Sequence, residues 1–152
     1  MTLKRTRAKR RPNGTGCQMP GRKSCRSDAY TTVWIGEKDV RVCARHAADL
    51  LFAARIRAMN GGRCVAEGQA GVDCGGRIQC AHIIRRNYHA IRWSDDNAVP
   101  LCAGHHVWFT HHPLEWETFC RWSGIDYDGL RHRAFNDPPE NPLDVLERLG
   151  AA

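Results

Sequence analysis

The sequence predicts a small α+β protein built as two cysteine-rich units behind a basic arm. Three observations lead there. Cysteines and histidines recur twice in the same order, strand-like and helix-like segments follow one another in the second half, and the positive charge is gathered at one end. The chain has 152 residues, 42% hydrophobic and 26% charged, an ordinary composition for a folded globular protein. Units of roughly 60 to 90 residues bury only a modest core and commonly lean on metals or disulfides.

The formal charge is +7 and is unevenly placed. Lys4, Arg5, Arg7, Lys9, Arg10 and Arg11 hold six of the 23 basic residues, and the other 17 nearly balance 16 acids. A basic arm on a near-neutral body is the footprint of a polyanion ligand, nucleic acid first. Residues 1–16 should be disordered without that ligand. No apolar stretch follows the N-terminal charges, so no signal peptide is expected. No apolar run approaches the roughly 20 residues that span a bilayer. These features predict a cytoplasmic protein without a membrane partner. In that reducing compartment the eight cysteines would serve metals rather than disulfides.

The first unit covers residues 17–62. Ala48, Phe52, Ile56 and Met59 form an apolar stripe at helical spacing, which predicts a helix over Arg45–Met59. Asn60-Gly61-Gly62 then stops it. The second unit covers 63–137. Residues 77–84 read as a strand and 87–96 as a loop or short hairpin arm. A helix begins at His105, and another runs from Pro113 to Trp122, with Gly124 as its stop. Trp116, Phe119 and Cys120 share a face of that helix, so Cys120 reads as core. Trp93, Trp108, Trp116 and Trp122 also read as core rather than as stacking platforms. Residues 138–152 carry a last helix capped by Asn141.

The repeated pattern points to metal. The first unit has Cys17, Cys25 and then Cys43-x-x-His46; the second has Cys64, Cys74 and then Cys102-x-x-His105. Each offers two cysteines on an irregular loop and a Cys-x-x-His pair entering a helix. Three thiolates and one imidazole suit tetrahedral zinc, and residues three apart at a helix start face the same way. Two structural Zn²⁺ ions are expected. Cys80 is an alternative to Cys74, which is preferred because Gly75-Gly76 suits a ligand turn. Closed sites of this kind leave no open position for water, so their work is structural.

The second unit carries additional chemistry between its cysteine pairs. It reads Cys80-Ala81-His82-Ile83-Ile84-Arg85-Arg86, then Ile91-Arg92-Trp93, then Asp95-Asp96-Asn97-Ala98-Val99-Pro100-Leu101-Cys102, then His105-His106. Over about 50 residues, from Arg63 to His112, this resembles the HNH (ββα-metal) endonuclease family, closest to phage recombination endonucleases of the NinG and Rap kind. The resemblance implies a metal-dependent DNA endonuclease of phage origin, with His82 as general base, His106 as ligand to a catalytic Mg²⁺ or Mn²⁺, and Asn97 shaping the site or orienting His82. Arg85, Arg86 and Arg92 would clamp phosphates. Adjacent helical residues point about 100° apart, so His105 can serve the structural zinc while His106 faces a second metal. The pattern departs from many members at Ala81, where an acidic metal ligand is usual; either the metal is held by fewer protein ligands and more water, which suits Mg²⁺, or Asp95 or Asp96 compensates. His111 and His112 point away from His106 if the helix continues. The competing reading is a non-catalytic zinc protein that binds DNA or acts as an adaptor.

Overall fold

In a computed structural model, the described residues are Cys25, 31–35, 38–69 and 71–150. Cys17 and the six basic residues of the arm lie outside them. The fold is mixed α+β. Strands β1 (Thr31–Ile35) and β2 (Lys38–Val42) lead into helix α1 (Ala44–Ala58). Strand β3 (Ile78–His82), strand β4 (Ala98–Cys102) and helix α2 (Ala103–His111) follow, then α3 (Pro113–Trp122), α4 (Tyr127–Asn136) and α5 (Pro142–Arg148). The chain divides within α1 into two compact units. One holds the described residues up to Phe52 together with those from Asn141; the other is Ala53–Glu140. No helix among the described residues is long and apolar enough to cross a membrane.

In the first unit, β1 and β2 form an antiparallel hairpin with Val33 opposite Val40. That hairpin is not anticipated by the sequence reading. Val42, Cys43, His46, Ala47, Ala48 and Phe52 are buried, as are Val145 and Leu146 of α5. The helix stripe is thus the buried face, except that Met59 falls beyond the helix and is 42% exposed. Asn60, Gly61 and Gly62 have φ of 53°, 63° and 73°. Two glycines in three left-handed positions end α1 with little steric strain. Asn141 caps α5 by accepting from the Leu143 N–H at 3.1 Å.

The second unit is built on an antiparallel β3–β4 pair in which His82 faces Ala98 and Ile78 faces Cys102. The strands are joined by the long segment 83–97. Its core gathers Ala81, Ile83, Ile84, Ile91, Leu101, Phe109, Phe119, Cys120 and Leu130. Burial, and then the charge of Glu117, push the Cys120 thiol up to about 12, as befits a packed apolar residue. Trp93 is buried and Trp108 and Trp116 pack on the core, but Trp122 is 74% exposed. The helix ends there, and Trp122 turns away from the Phe119–Cys120 face. Helix α4 was not predicted. Asp126 caps it by accepting from the Gly129 N–H at 2.9 Å.

Candidate metal centres and adjoining cleft

Four chain segments bring one ligand set together. Cys64 follows the left-handed stop after α1, and Val65 N–H donates to Pro100 O at 3.0 Å, tying that segment to β4. Cys74 lies on the loop before β3. Its neighbour Gly76 has φ +74°, and a Cβ there would sit 2.9 Å from the Ala103 Cβ, so only glycine fits. Gly104 N–H donates to Gly75 O at 2.9 Å, and Ala103 N–H to Arg77 O at 3.1 Å. Those bonds fold the loop against the start of α2. Cys102 ends β4 and caps α2, with His105 in the first turn.

His105 Nδ1 lies 3.6 Å from Cys64 Sγ, 3.6 Å from Cys74 Sγ and 3.2 Å from Cys102 Sγ. All four donor atoms fall within 4.8 Å of one another. A tetrahedral zinc about 2.3 Å from sulfur and about 2.0 Å from nitrogen has S···N edges of about 3.6 Å. The donor set fits that ion in size and in chemistry. Cys74 belongs to this group, and Cys80 does not.

The thiols are unequal without metal. Burial alone would raise Cys102, but N–H donation from His105 and Gly75, each at 3.4 Å to its sulfur, outweighs it and brings the thiol down to about 6. Cys74 is pushed up to about 12 by desolvation and then by its hydrogen bonds to Cys102 and Cys64. A cation entering the set displaces the remaining thiol protons, which is the usual linkage of metal binding to proton release.

The first unit holds a smaller group of Cys25, Cys43 and His46. Cys25 and Cys43 sulfurs are 3.9 Å apart, and Cys43 Sγ is 3.4 Å from His46 Nδ1. Both spacings again approximate tetrahedral edges. The fourth expected ligand, Cys17, is outside the described residues.

Beside the Cys₃His set, α2 and the end of β3 wall a cleft of about 900 Å³ that includes His82, His106, Arg85 and Arg86 in its lining. His105 is buried and stacks near Phe109 at 6.1 Å, while His106 opens on the cleft. Two hydrogen bonds orient the cleft histidines. His82 Nε2 is 2.9 Å from Arg92 O; a carbonyl only accepts, so Nε2 donates to it. His106 Nδ1 is 2.6 Å from Gln79 Oε1, which by the same reasoning leaves the lone pair on His106 Nε2. Burial lowers the His106 pKa, favouring the neutral, ligating form.

Asn97 shapes the site from inside, one of the two roles expected of it. It is fully buried. Its Oδ1 accepts from Ile84 N–H at 2.7 Å, and its Nδ2 donates to Ile84 O at 3.0 Å and Ile91 O at 2.9 Å. Both amide protons are spent on the backbone of the segment that carries Arg85 and Arg86. Asn97 therefore pins that segment and has no N–H left for a substrate.

Two expectations are corrected. Arg92 is only 6% exposed. Its guanidinium donates to Arg86 O at 2.8 Å and lies over the Trp93 ring at 5.5 Å. It braces the segment from inside and does not line the cleft. Asp95 and Asp96 do not compensate for Ala81. Asp95 pairs with Arg55 at 2.6 Å, and Asp96 pairs with Arg133. Ala81 itself is buried. His112 stacks on Trp108 at a centroid distance of 3.6 Å, and His111 is exposed.

Sequence reasoning missed Gln79 and Arg131. Gln79 lies two residues before Ala81, on the same strand face by the period of two. Arg131 sits in the helix that was not foreseen and also lines the cleft. Tyr127, Arg131 and Phe135 recur every four residues between Gly124 and Pro138, a signal that was available. No protein-family model, curated protein or solved structure matches this chain.

Proposed function

We propose that this protein is a metal-dependent DNA endonuclease of the HNH type, whose Cys₃His zinc fixes the helix that carries a second, cleft-facing histidine. The observation that carries the reading is His82. It stands at the end of β3 with Nε2 2.9 Å from the Arg92 carbonyl oxygen, in a cleft lined by His106, Arg85 and Arg86. The order β3, β4, α2 supports the ββα-metal assignment.

In the proposed reaction, His82 takes a proton from water as its oxygen attacks phosphorus. The bond from phosphorus to the 3′ oxygen breaks, leaving a 5′-phosphate and, after protonation from solvent, a 3′-hydroxyl. Arg85 and Arg86 hold the phosphate oxygens. His106 Nε2 offers one ligand to Mg²⁺ or Mn²⁺, and Gln79 keeps that nitrogen deprotonated and aimed. A bound divalent ion supplies positive charge against the developing oxyanions. Among the described residues lining the cleft there is no carboxylate, so a bound ion would take its other ligands from water and the substrate phosphate.

That missing carboxylate favours a second reading, a zinc-containing protein that binds DNA without cutting it. One comparison separates the two. Wild type, His82→Ala and His105→Ala are incubated with supercoiled, linear and branched DNA in Mg²⁺ or Mn²⁺. The endonuclease reading expects His82→Ala to lose about 10²- to 10⁴-fold in rate with folding intact. It expects His105→Ala to release zinc. Equal activity in wild type and His82→Ala refutes His82 as the base, and DNA binding by wild type with no cutting in either metal makes the second reading the better one.

A further inference from the structure

We infer that the cleft accepts single-stranded DNA, with an unpaired base stacked against the Tyr88–Phe135 pair at its rim. This deepens the endonuclease reading by naming the form of its substrate. It rests on residues outside the His82–His106 pair.

Tyr127, Arg131 and Phe135 all line the cleft. Spaced by four, they form one stripe along α4, with successive members about 6 Å apart along the axis. Phe135 is 64% exposed, and its ring meets Tyr88 edge to face at 4.9 Å. One face of an aromatic pair is thus offered to solvent beside an arginine. The charge agrees with this. Arg85, Arg86 and Arg131 line the cleft without a carboxylate among its described lining residues. The nearby acids are committed elsewhere: Arg121 binds Asp128 at 2.8 Å and Glu117 at 3.0 Å.

Arginines beside an exposed ring, Phe135, match what an unpaired strand presents, namely spaced phosphates and free base faces. A B-form duplex presents its phosphates outside and keeps its base faces stacked within, so it can meet the arginines but not the rings. A neutral apolar ligand would use the ring and leave the cleft's arginines without a bound anion.

The test is equilibrium binding in buffer free of added divalent metal and of chelator, so that structural zinc stays and no chemistry occurs. The probes are a 12-nucleotide single strand with one 2-aminopurine and the same strand in a duplex. The wild type should quench the 2-aminopurine when it binds the single strand. Phe135→Ala should weaken single-strand binding about 5- to 100-fold, the loss of one base–aromatic stack, and restore the fluorescence. Its effect on the duplex should stay within about twofold. Phe135→Tyr should bind the single strand as wild type does. Because Phe135 is largely exposed, unchanged zinc content and melting are expected in both variants. Arg131→Ala should make the salt dependence on single strands less steep by about 0.7. Unquenched fluorescence, or equal weakening on both probes by Phe135→Ala, overturns the inference. A protein that cuts nothing yet quenches and discriminates in this way loses the nuclease reading and keeps this one; a protein that cuts duplex DNA but shows no ring-dependent binding does the reverse.

Discussion

Replacing Asn97 should damage the protein more than its size suggests, because its side chain is the only amide clasp described across the segment between β3 and β4. Asn97→Ala removes three hydrogen bonds, of 2.7, 3.0 and 2.9 Å. A net worth of about 1 kcal/mol each gives about 3 kcal/mol. The Ile84 N–H and O and the Ile91 O are then left beside a buried position with no partner from the side chain. Water filling the small cavity would satisfy some of them; without it each adds about 1–3 kcal/mol. The expected loss is about 3–5 kcal/mol, a large part of the stability of an ordinary domain. Asn97→Asp keeps the acceptor for Ile84 N–H but sets a carboxylate against two carbonyls, so it should be as damaging. Urea unfolding at fixed free zinc measures the loss, and amide exchange at Ile84 locates it. If Asn97 acts as the segment's pin, both variants lose phosphate binding through Arg85 and Arg86 as well as any cleavage. A loss below about 1 kcal/mol with exchange at Ile84 unchanged would refute the clasp, and Asn97 would then have to act on the substrate directly.

Three other outcomes follow from the same geometry. Cys74→Ser should release the zinc of the second unit and Cys80→Ser should not, as read by elemental analysis of protein purified without chelator; the opposite result would exchange their roles. Gln79→Ala should free His106 to take either tautomer, visible in the nitrogen shifts of its ring, and should raise the Mn²⁺ concentration needed for half-maximal cleavage about 10- to 100-fold, whereas Gln79→Glu should keep the tautomer; an unchanged tautomer in Gln79→Ala would remove Gln79 from the site. Deleting residues 1–12 should flatten the salt dependence of duplex binding by up to about five units in log–log slope if all six arm charges meet phosphates, and an unchanged slope would assign the arm elsewhere.

The Cys₃His ligand set was legible because metal chemistry restricts residue type and Cys-x-x-His imposes its own spacing. The choice of Cys74 over Cys80 was less visible. It depends on Gly76, whose left-handed φ and contact with Ala103 turn the loop onto α2. Asn97, Arg92, Asp95 and Asp96 were read as chemistry because their types allow it, yet each is engaged in holding the segment or its flanks. Polar side chains used for tertiary hydrogen bonds carry no local mark that separates them from catalytic ones. The hairpin of β1 and β2 escaped notice because Thr31–Ile35 and Lys38–Val42 are short and only weakly alternating. Helix α4 escaped because Asp126, its cap, was not recognised. With it went Arg131 and the rings of one cleft wall.

The adjacency of His105 and His106 has a consequence for how the chain is made. Synthesis delivers Cys64 and Cys74 first, then His82, and only later Cys102 and His105. Until His105 has emerged, a metal ion meets at most three of its four ligands, and α2 has no anchored first turn. The direction of His106 is therefore set late, after His82 and the arginine segment already exist. A chain interrupted before residue 102 would carry His82 without the helix that places His106. Metal capture by Cys102 and His105 and the aiming of His106 become a single event in time, before the α4 wall with Arg131 and Phe135 is made.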